Sequence, residues 1–223
     1  MVYKIKMKQL VIFDLDGTLI DTIADLAAAT NHALTKNGFP THEAEAYRFF
    51  VGNGVNKLFE RALPEGEKTD ENILRIRKDF LPYYDKHNTD LSRPYPDIPE
   101  LLEYIQSMGI LLAVASNKYQ TATEKLIAHY FSGIRFSIVL GQRENIPIKP
   151  DPAIINRILS ATNVQKEDTI YIGDSGVDMQ TANNSGVDGI GVTWGFRPRT
   201  ELEAFNPKYI VDKTQEIIPL INV

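Results

Sequence analysis

A doubly wound α/β fold, with a parallel sheet and a helical segment inserted after its first strand, is what this sequence predicts. Three observations lead there. Short, nearly continuous apolar or β-branched runs recur at "LVIF" (10–13), "LLAVAS" (111–116), "FSIVL" (136–140), "TIYIG" (169–173) and "GIGVTW" (189–194). Such runs suit strands buried on both faces of a sheet. Helical periodicity fills most of the gaps between them. From about Asp21 to His87 the strand pattern is missing and helical stripes replace it.

Taken in order, "LVIF" is the first strand. The inserted segment carries stripes at Leu26, Ala29 and Ala33, then Val55, Leu58, Phe59 and Ala62, then Ile73, Ile76, Phe80 and Tyr84. "LPEGEKTD" separates the second from the third. "SRPYPDIPE" (92–100) concentrates three prolines and reads as the hinge back into the main domain. Ile98, Leu101, Leu102, Ile105 and Met108 then repeat at three and four, and Gly109 stops that helix. Ile154, Ile155, Ile158 and Leu159 form another stripe, opened by "KPDP" with Pro152 early in the helix. The expected division is a core of residues 1–20 and 90–223 and a helical cap of residues 21–89.

Composition narrows the class. The chain has 223 residues, 43% of them hydrophobic, enough for one sizeable core plus an insert. A net charge of −5 provides no basic field for nucleic acid or an anionic membrane. There is no cysteine, which removes disulfides, thiolate nucleophiles and cysteine zinc sites, and fits a reducing cytoplasm. No apolar run approaches the roughly 20 residues that a spanning helix needs. A soluble cytoplasmic protein is expected, with Met7 an alternative start and residues 1–7 a loose tail. The four histidines, His32, His42, His87 and His129, share no ligand spacing.

The chemistry gathers where strands end, the ligand edge of a doubly wound sheet. "LVIF" runs into Asp14 and Asp16, two like charges that repel and lose hydration unless a cation or a reaction compensates them. "LLAVA" ends in Ser116 and Asn117, "TIYIG" leads to Asp174 and Asp178, and Lys149 precedes a helix. Oxygen ligands without histidine or cysteine suit a hard ion such as Mg²⁺. A lysine and a hydroxyl can hold phosphoryl oxygens, and a carboxylate can serve as nucleophile while a second acid moves the proton. Gly17 lets backbone approach a phosphate closely. The set therefore points to phosphoryl transfer. Blander readings exist: an Asx turn for Asp14 and Asp16, a helix N-cap for Ser116 and Asn117, dipole compensation for Asp178. "VGNG" (51–54) reads equally as a turn or a substrate loop. Arg197 in "GFRPR" is read as a surface residue, with the mouth of the site as the alternative.

"DLDGTLID", "ASN", "KPDP" and "GDSGVDMQTANNSG" resemble, in order, the four signature motifs of the haloacid dehalogenase (HAD) superfamily of phosphohydrolases. The likeness spans most of residues 9–195, and "YRFFVGNGVNKLFERAL" looks most like the cap of its phosphoglycolate phosphatases. The resemblance implies a Rossmann-like core with a cap and a Mg²⁺ cofactor. It implies Asp14 as nucleophile, and Asp16 as general acid/base with its backbone carbonyl on the metal. Asp14 and Asp174 would be the further metal ligands, with Asp178 behind the metal site or a direct partner of it. Ser116, Asn117 and Lys149 would hold the phosphoryl group. Because Asp16 is present, the resemblance favours a phosphatase or phosphotransferase over a dehalogenase, whose halide leaving group needs no proton. The expected partner is a small phosphorylated metabolite, phosphoglycolate as the single choice. Arg48, Gly52, Asn53 and Gly54 are the cap candidates for specificity, Arg48 as partner of a substrate carboxylate. The alternatives are a mutase similar to β-phosphoglucomutase, and a non-enzymatic receiver-like phosphoacceptor.

Overall fold

In the computed structural model, which describes residues 7–222, the chain opens with strand β1 (Leu10–Phe13) and the short strand β2 (Ile20–Asp21). Four helices follow: α1 (Ile23–Lys36), α2 (Tyr47–Phe50), α3 (Val55–Ala62) and α4 (Asp70–His87). Then come β3 (Arg93–Pro94), α5 (Ile98–Ser107), β4 (Leu111–Tyr119), α6 (Gln120–Tyr130), β5 (Phe136–Gln142) and α7 (Ala153–Thr162). The last elements are β6 (Thr169–Gly173), α8 (Gly176–Ser185), β7 (Asp188–Val192), α9 (Arg199–Glu203), β8 (Tyr209–Val211) and α10 (Ile217–Ile221). Met7 is exposed; the rest of the expected tail, residues 1–6, lies outside the described residues. No described helix is long and apolar enough to cross a membrane.

The main sheet runs β5–β4–β1–β6–β7–β8, parallel throughout. β1 lies inside it, with Leu10 opposite both Leu111 and Thr169. Its four residues are fully buried because both faces are covered. Val11 and Phe13 pack with Leu101, Leu102 and Ile105 of α5, whereas Leu10 and Ile12 pack with Ile154, Ile155 and Ile158 of α7. An alternating backbone between two apolar layers yields the unbroken apolar run seen in the sequence.

Helices α1–α4 surround a separate core of Leu26, Ala33, Tyr47, Leu58, Phe59, Ile76, Phe80 and Tyr84. Phe80 meets Phe59 edge-on at 4.9 Å and stacks on Tyr84 at 5.1 Å. Ala122 of α6 and Phe196 join this core, so it continues onto the sheet domain.

Three details depart from the sequence reading. Asp21 is not the start of a strand-free region, since β2 pairs antiparallel with β3, Ile20 opposite Pro94 and Asp21 opposite Arg93. The two linkers of the insert thus form one ribbon. Two-residue strands are too short for periodicity, and Pro94 argues against a strand. β8 was not anticipated: it is a three-residue strand at the sheet edge. β4 runs on to Tyr119, so Ser116 and Asn117 lie within an irregular strand end and not at a helix N-cap, a position Tyr119 takes.

A buried carboxylate reinforces the ribbon. Asp25, on the first turn of α1, accepts from the Ser92 amide at 2.8 Å, the Ser92 hydroxyl at 2.6 Å and the Leu91 amide at 3.0 Å. Substituting Asp25→Ala strands the Ser92 donors inside the protein and is expected to cost about 1–3 kcal/mol. Asp25→Asn, which keeps one acceptor oxygen, should cost less. Urea denaturation of the two variants checks this ordering, and a loss below about 0.5 kcal/mol for alanine would contradict it.

Candidate active site

The carboxyl ends of β1, β4 and β6 and the turn before α7 meet in one cleft beneath the helical insert. Asp14, Asp16, Ser116, Asn117, Lys149, Asp174 and Asp178 all line it. The opposite wall is mostly apolar, made by Leu26, Val51, Val55, Leu58, Phe80 and Phe196. The free space of the cleft, with the open solvent at its mouth included, is about 660 Å³.

Asp14 follows β1 directly, and its amide still donates to Ile172 on β6 at 2.9 Å. The chain then turns tightly, with the amides of Leu19 and Ile20 both donating to the Leu15 carbonyl. Gly17 makes this turn possible: its φ is +88°, and a Cβ there would lie 2.3 Å from an oxygen of Asp174. The side chains of Asp14 and Asp16 separate within the cleft. Asp14 takes Lys149 at 2.8 Å, while Asp16 takes the Thr22 hydroxyl at 2.6 Å and Lys118 at 3.0 Å.

Lys149 is almost wholly buried, and its three donors are all placed. Nζ reaches Asp14 at 2.8 Å, the Tyr171 hydroxyl at 2.8 Å and Asp178 at 2.7 Å. Burial opposes its charge, but the two carboxylates outweigh burial and hold the ammonium above its ordinary value. Asp178 is fixed from both sides. Its Oδ1 accepts from Lys149 and the Tyr171 hydroxyl, and its Oδ2 from the Ser175 amide and hydroxyl in the first turn of α8. Burial would raise its carboxyl, yet the Lys149 charge and these bonds pull it below the usual value. An acid so fully engaged orients Lys149.

Asp14 and Asp174 are the opposite case. Burial, partly opposed by Lys149 and reinforced by Asp178, pushes the Asp14 carboxyl up to about 7. Burial together with Asp178 and Asp14 raises Asp174 well above the ordinary range, against the Phe196 amide that donates to it at 2.7 Å. Oxygens of Asp14, Asp174 and Asp178 lie within 4.8 Å of one another. Close, buried, under-compensated carboxylates fit a hard divalent cation, which would restore the charge balance. With Asp178 committed to donors, Asp14 and Asp174 are the carboxylates open to such an ion. Asp16 turns its carboxylate toward Lys118 and Thr22, away from this group.

The remaining residues singled out in the sequence divide. Ser116 Oγ accepts from the Lys118 amide at 3.2 Å, which leaves its proton to donate. Asn117 is not open to a ligand in this way: its amide accepts from the Lys149 amide and donates to the carbonyls of Lys149 and Gly52. It clamps the lysine-bearing turn to the insert. Gly52 and Gly54 line the cleft, but Arg48 and Asn53 do not. Arg48 pairs with Glu45 and donates to the Gly195 carbonyl, and Asn53 accepts from Arg61. One cleft residue is missing from the sequence reading and another is placed there only as an alternative. Lys118 was passed over because a lysine after "SN" has no surface signature of burial, yet it bridges Asp16 and the Tyr84 hydroxyl. Arg197, read first as a surface residue with the mouth of the site as the alternative, lines the cleft with its side chain mostly buried.

The haloacid dehalogenase-like hydrolase profile matches residues 11–192. The phosphoglycolate phosphatase of Vibrio parahaemolyticus is 30% identical over 220 residues, 96% of each chain. That of Pseudomonas putida is 31% identical over 220 residues, 96% of this chain and 79% of its own. Among solved structures, a protein of Lactobacillus delbrueckii subsp. bulgaricus superposes with a TM-score of 0.89 at 32% identity, covering 97% and 99% of the two chains. A "predicted phosphoglycolate phosphatase" of Haemophilus somnus superposes with a TM-score of 0.88 at 28% identity, covering 96% and 97%.

The crowded acids make stability depend on pH and cation. A carboxyl that titrates higher in the folded than in the unfolded chain costs folding free energy as pH rises between the two values. For Asp14 that window runs from 3.8 to about 7. In chelator, wild-type Tm should fall across it, and Asp174→Asn should melt about 2–8 °C higher than wild type at pH 8. Mg²⁺ should stabilise the wild type more than the variant. Scanning calorimetry decides, and a variant no more stable than wild type in chelator would count against the charge-crowding account.

Proposed function

The chain belongs to the haloacid dehalogenase-like hydrolases, and on that premise we propose that it is a Mg²⁺-dependent phosphomonoesterase acting through an aspartyl-phosphate. The observation that carries the reading is the division of labour between two acids two residues apart. Asp14 is paired with Lys149 and stands with Asp174, whereas Asp16 is held apart by Lys118 and Thr22. One acid is thus arranged as a nucleophile and the other as a proton carrier.

In the first step Asp14 attacks phosphorus, the ester P–O bond breaks, and Asp16 gives its proton to the departing oxygen. In the second, Asp16 takes a proton from water, whose oxygen attacks phosphorus. Phosphate leaves and Asp14 is regenerated. Lys149 and Ser116 hold the phosphoryl oxygens throughout, placing fixed positive charge and a donor where negative charge develops. Mg²⁺, held by Asp14, Asp174 and the Asp16 carbonyl, would supply the charge that keeps Asp14 ionised near neutral pH and draws in the phosphoryl dianion. The apolar insert above the cleft excludes bulk water during transfer.

The substrate we propose is a small phosphorylated metabolite, with phosphoglycolate the first choice on the names of the relatives at 30% and 31% identity. Transfer to a sugar, the mutase alternative, fits less well. A wall of Leu26, Val51, Val55, Leu58 and Phe80 offers sugar hydroxyls few partners. The receiver-like alternative gives way to membership in a hydrolase family. The cysteine-free composition suits a cytoplasmic setting.

A phosphate-release screen over phosphorylated metabolites, with Mg²⁺ and with chelator, tests the assignment: release should need the cation. Asp14→Asn should lose on the order of 10⁴-fold or more in kcat, and near-wild-type turnover would sink the mechanism. Asp16→Asn should lose about 10²–10⁴-fold on an alkyl phosphate and far less in the nitrophenol burst from p-nitrophenyl phosphate, whose leaving group needs no proton. Equal burst and alkyl losses would refute the proton-carrier role.

A further inference from the structure

The loop between β7 and α9 adds a third cation, beside Lys118 and Lys149, to the lining of the cleft, and one of its nitrogens has no partner. Arg197 lines the same cavity as Asp14 and Lys149, and its side chain is only 10% exposed. Its guanidinium is held on three sides. Nη2 donates to the Val51 carbonyl at 2.8 Å, Nε lies 3.4 Å from Glu201, and the group sits 5.6 Å from the centre of the Phe49 ring. Gly52 gives it room, since even a Cβ there would stand 3.8 Å from Nη2. The remaining nitrogen, Nη1, is buried and has no partner among the described residues. A buried charged donor left unpaired costs stability, which a chain retains where a ligand completes the bond.

The other two cations of the cleft are both held by the acids at the strand ends. Lys149 is shared by Asp14, Tyr171 and Asp178, and Lys118 by Asp16 and Tyr84. Among the described residues lining the cavity, Arg197 alone among the cations combines a mostly buried side chain with a guanidinium nitrogen that has no hydrogen-bond partner. A guanidinium fork matches the planar geometry of a carboxylate, and the surrounding wall is apolar, so such a pair would be poorly screened.

We infer that Arg197 is the specificity residue of the cleft, and that it binds a carboxylate on the organic end of the phosphomonoester. The inference rests on the phosphatase reading and deepens it. It moves the role expected of Arg48, whose charge is spent on Glu45 outside the cavity, to a residue of the core domain. One cation then reads each end of the substrate: Lys149 the phosphoryl group, Arg197 the carboxylate.

Two substrates that differ at one group isolate the contact: 2-phosphoglycolate, and ethyl phosphate, in which a methyl replaces the carboxylate. Wild type should prefer phosphoglycolate in kcat/KM. Arg197→Ala should cost about 10–100-fold on phosphoglycolate, mainly through KM, while ethyl phosphate changes less than about threefold. Arg197→Lys should recover part of the loss, and it carries the comparison if the alanine chain does not fold. Equal losses on both esters, or a wild type without preference, would overturn the inference and leave the phosphatase reading standing. Binding separates the two claims in the other direction. Calorimetric titration of phosphoglycolate into Asp14→Asn, with and without Arg197→Ala, reads the contact without turnover. An affinity unchanged by the second substitution would overturn the inference, and a fall of about 10–100-fold would support it even if hydrolysis were absent.

Discussion

The site is organised around one buried ammonium. Lys149 touches Asp14, Tyr171 and Asp178 at once, and each contact is near ideal length. Without it, three acids from two strand ends would face one another in a low-dielectric edge. With it, Asp178 is neutralised and locked, and Asp14 is half compensated. The remaining imbalance, seen in the raised carboxyls of Asp14 and Asp174, is what gives the edge its appetite for a divalent cation. The backbone serves this arrangement. Asn117 hydrogen-bonds both the amide and the carbonyl of Lys149, so the turn that carries the lysine cannot drift from β4.

Much of this was legible in the residues. Strands buried on both faces declare themselves by unbroken apolar runs, which is why β1, β4, β6 and β7 stand out, while the less buried edge strand β5 shows through its run of β-branched and aromatic residues. Their carboxyl ends carry the polar residues, and a doubly wound sheet brings such ends together. What escaped notice escaped for physical reasons. β2, β3 and β8 are two or three residues long, and no periodicity fits in that length. Lys118 and Arg197 are basic residues, which usually lie in solvent. Their burial follows from tertiary partners, Asp16 and Tyr84 for one, the Val51 carbonyl for the other. A pattern along the chain contains no record of such partners. The same is true of Arg48: its position beside a glycine loop suggested a ligand role, but Glu45, three residues away, claims the charge.

The insert is tied to the sheet domain by contacts of two kinds. At the linkers, β2 and β3 pair and Asp25 collects the donors of residues 91 and 92, so entry and exit of the insert are fastened together. Around the cleft the ties include Asn117 to the Gly52 carbonyl, Arg197 to the Val51 carbonyl, Lys118 to Tyr84 and Arg48 to the Gly195 carbonyl. Ala122 and Phe196 of the sheet domain add apolar packing to these bonds, so the insert is held at the linkers and over the cleft alike.

The Tyr84 contact has a bearing on modularity. The hydroxyl lies on α4 of the insert, and its partner Lys118 is the lysine that grips Asp16. A chimaera that kept every motif residue of the sheet domain but received a lid from a relative with another side chain at this place would leave Lys118 short of one neighbour, and Asp16 less firmly aimed. Lid and catalytic floor are therefore not independent cassettes. Exchange of lids between relatives would have to carry this hydroxyl along, or evolve a substitute that holds Lys118 against Asp16.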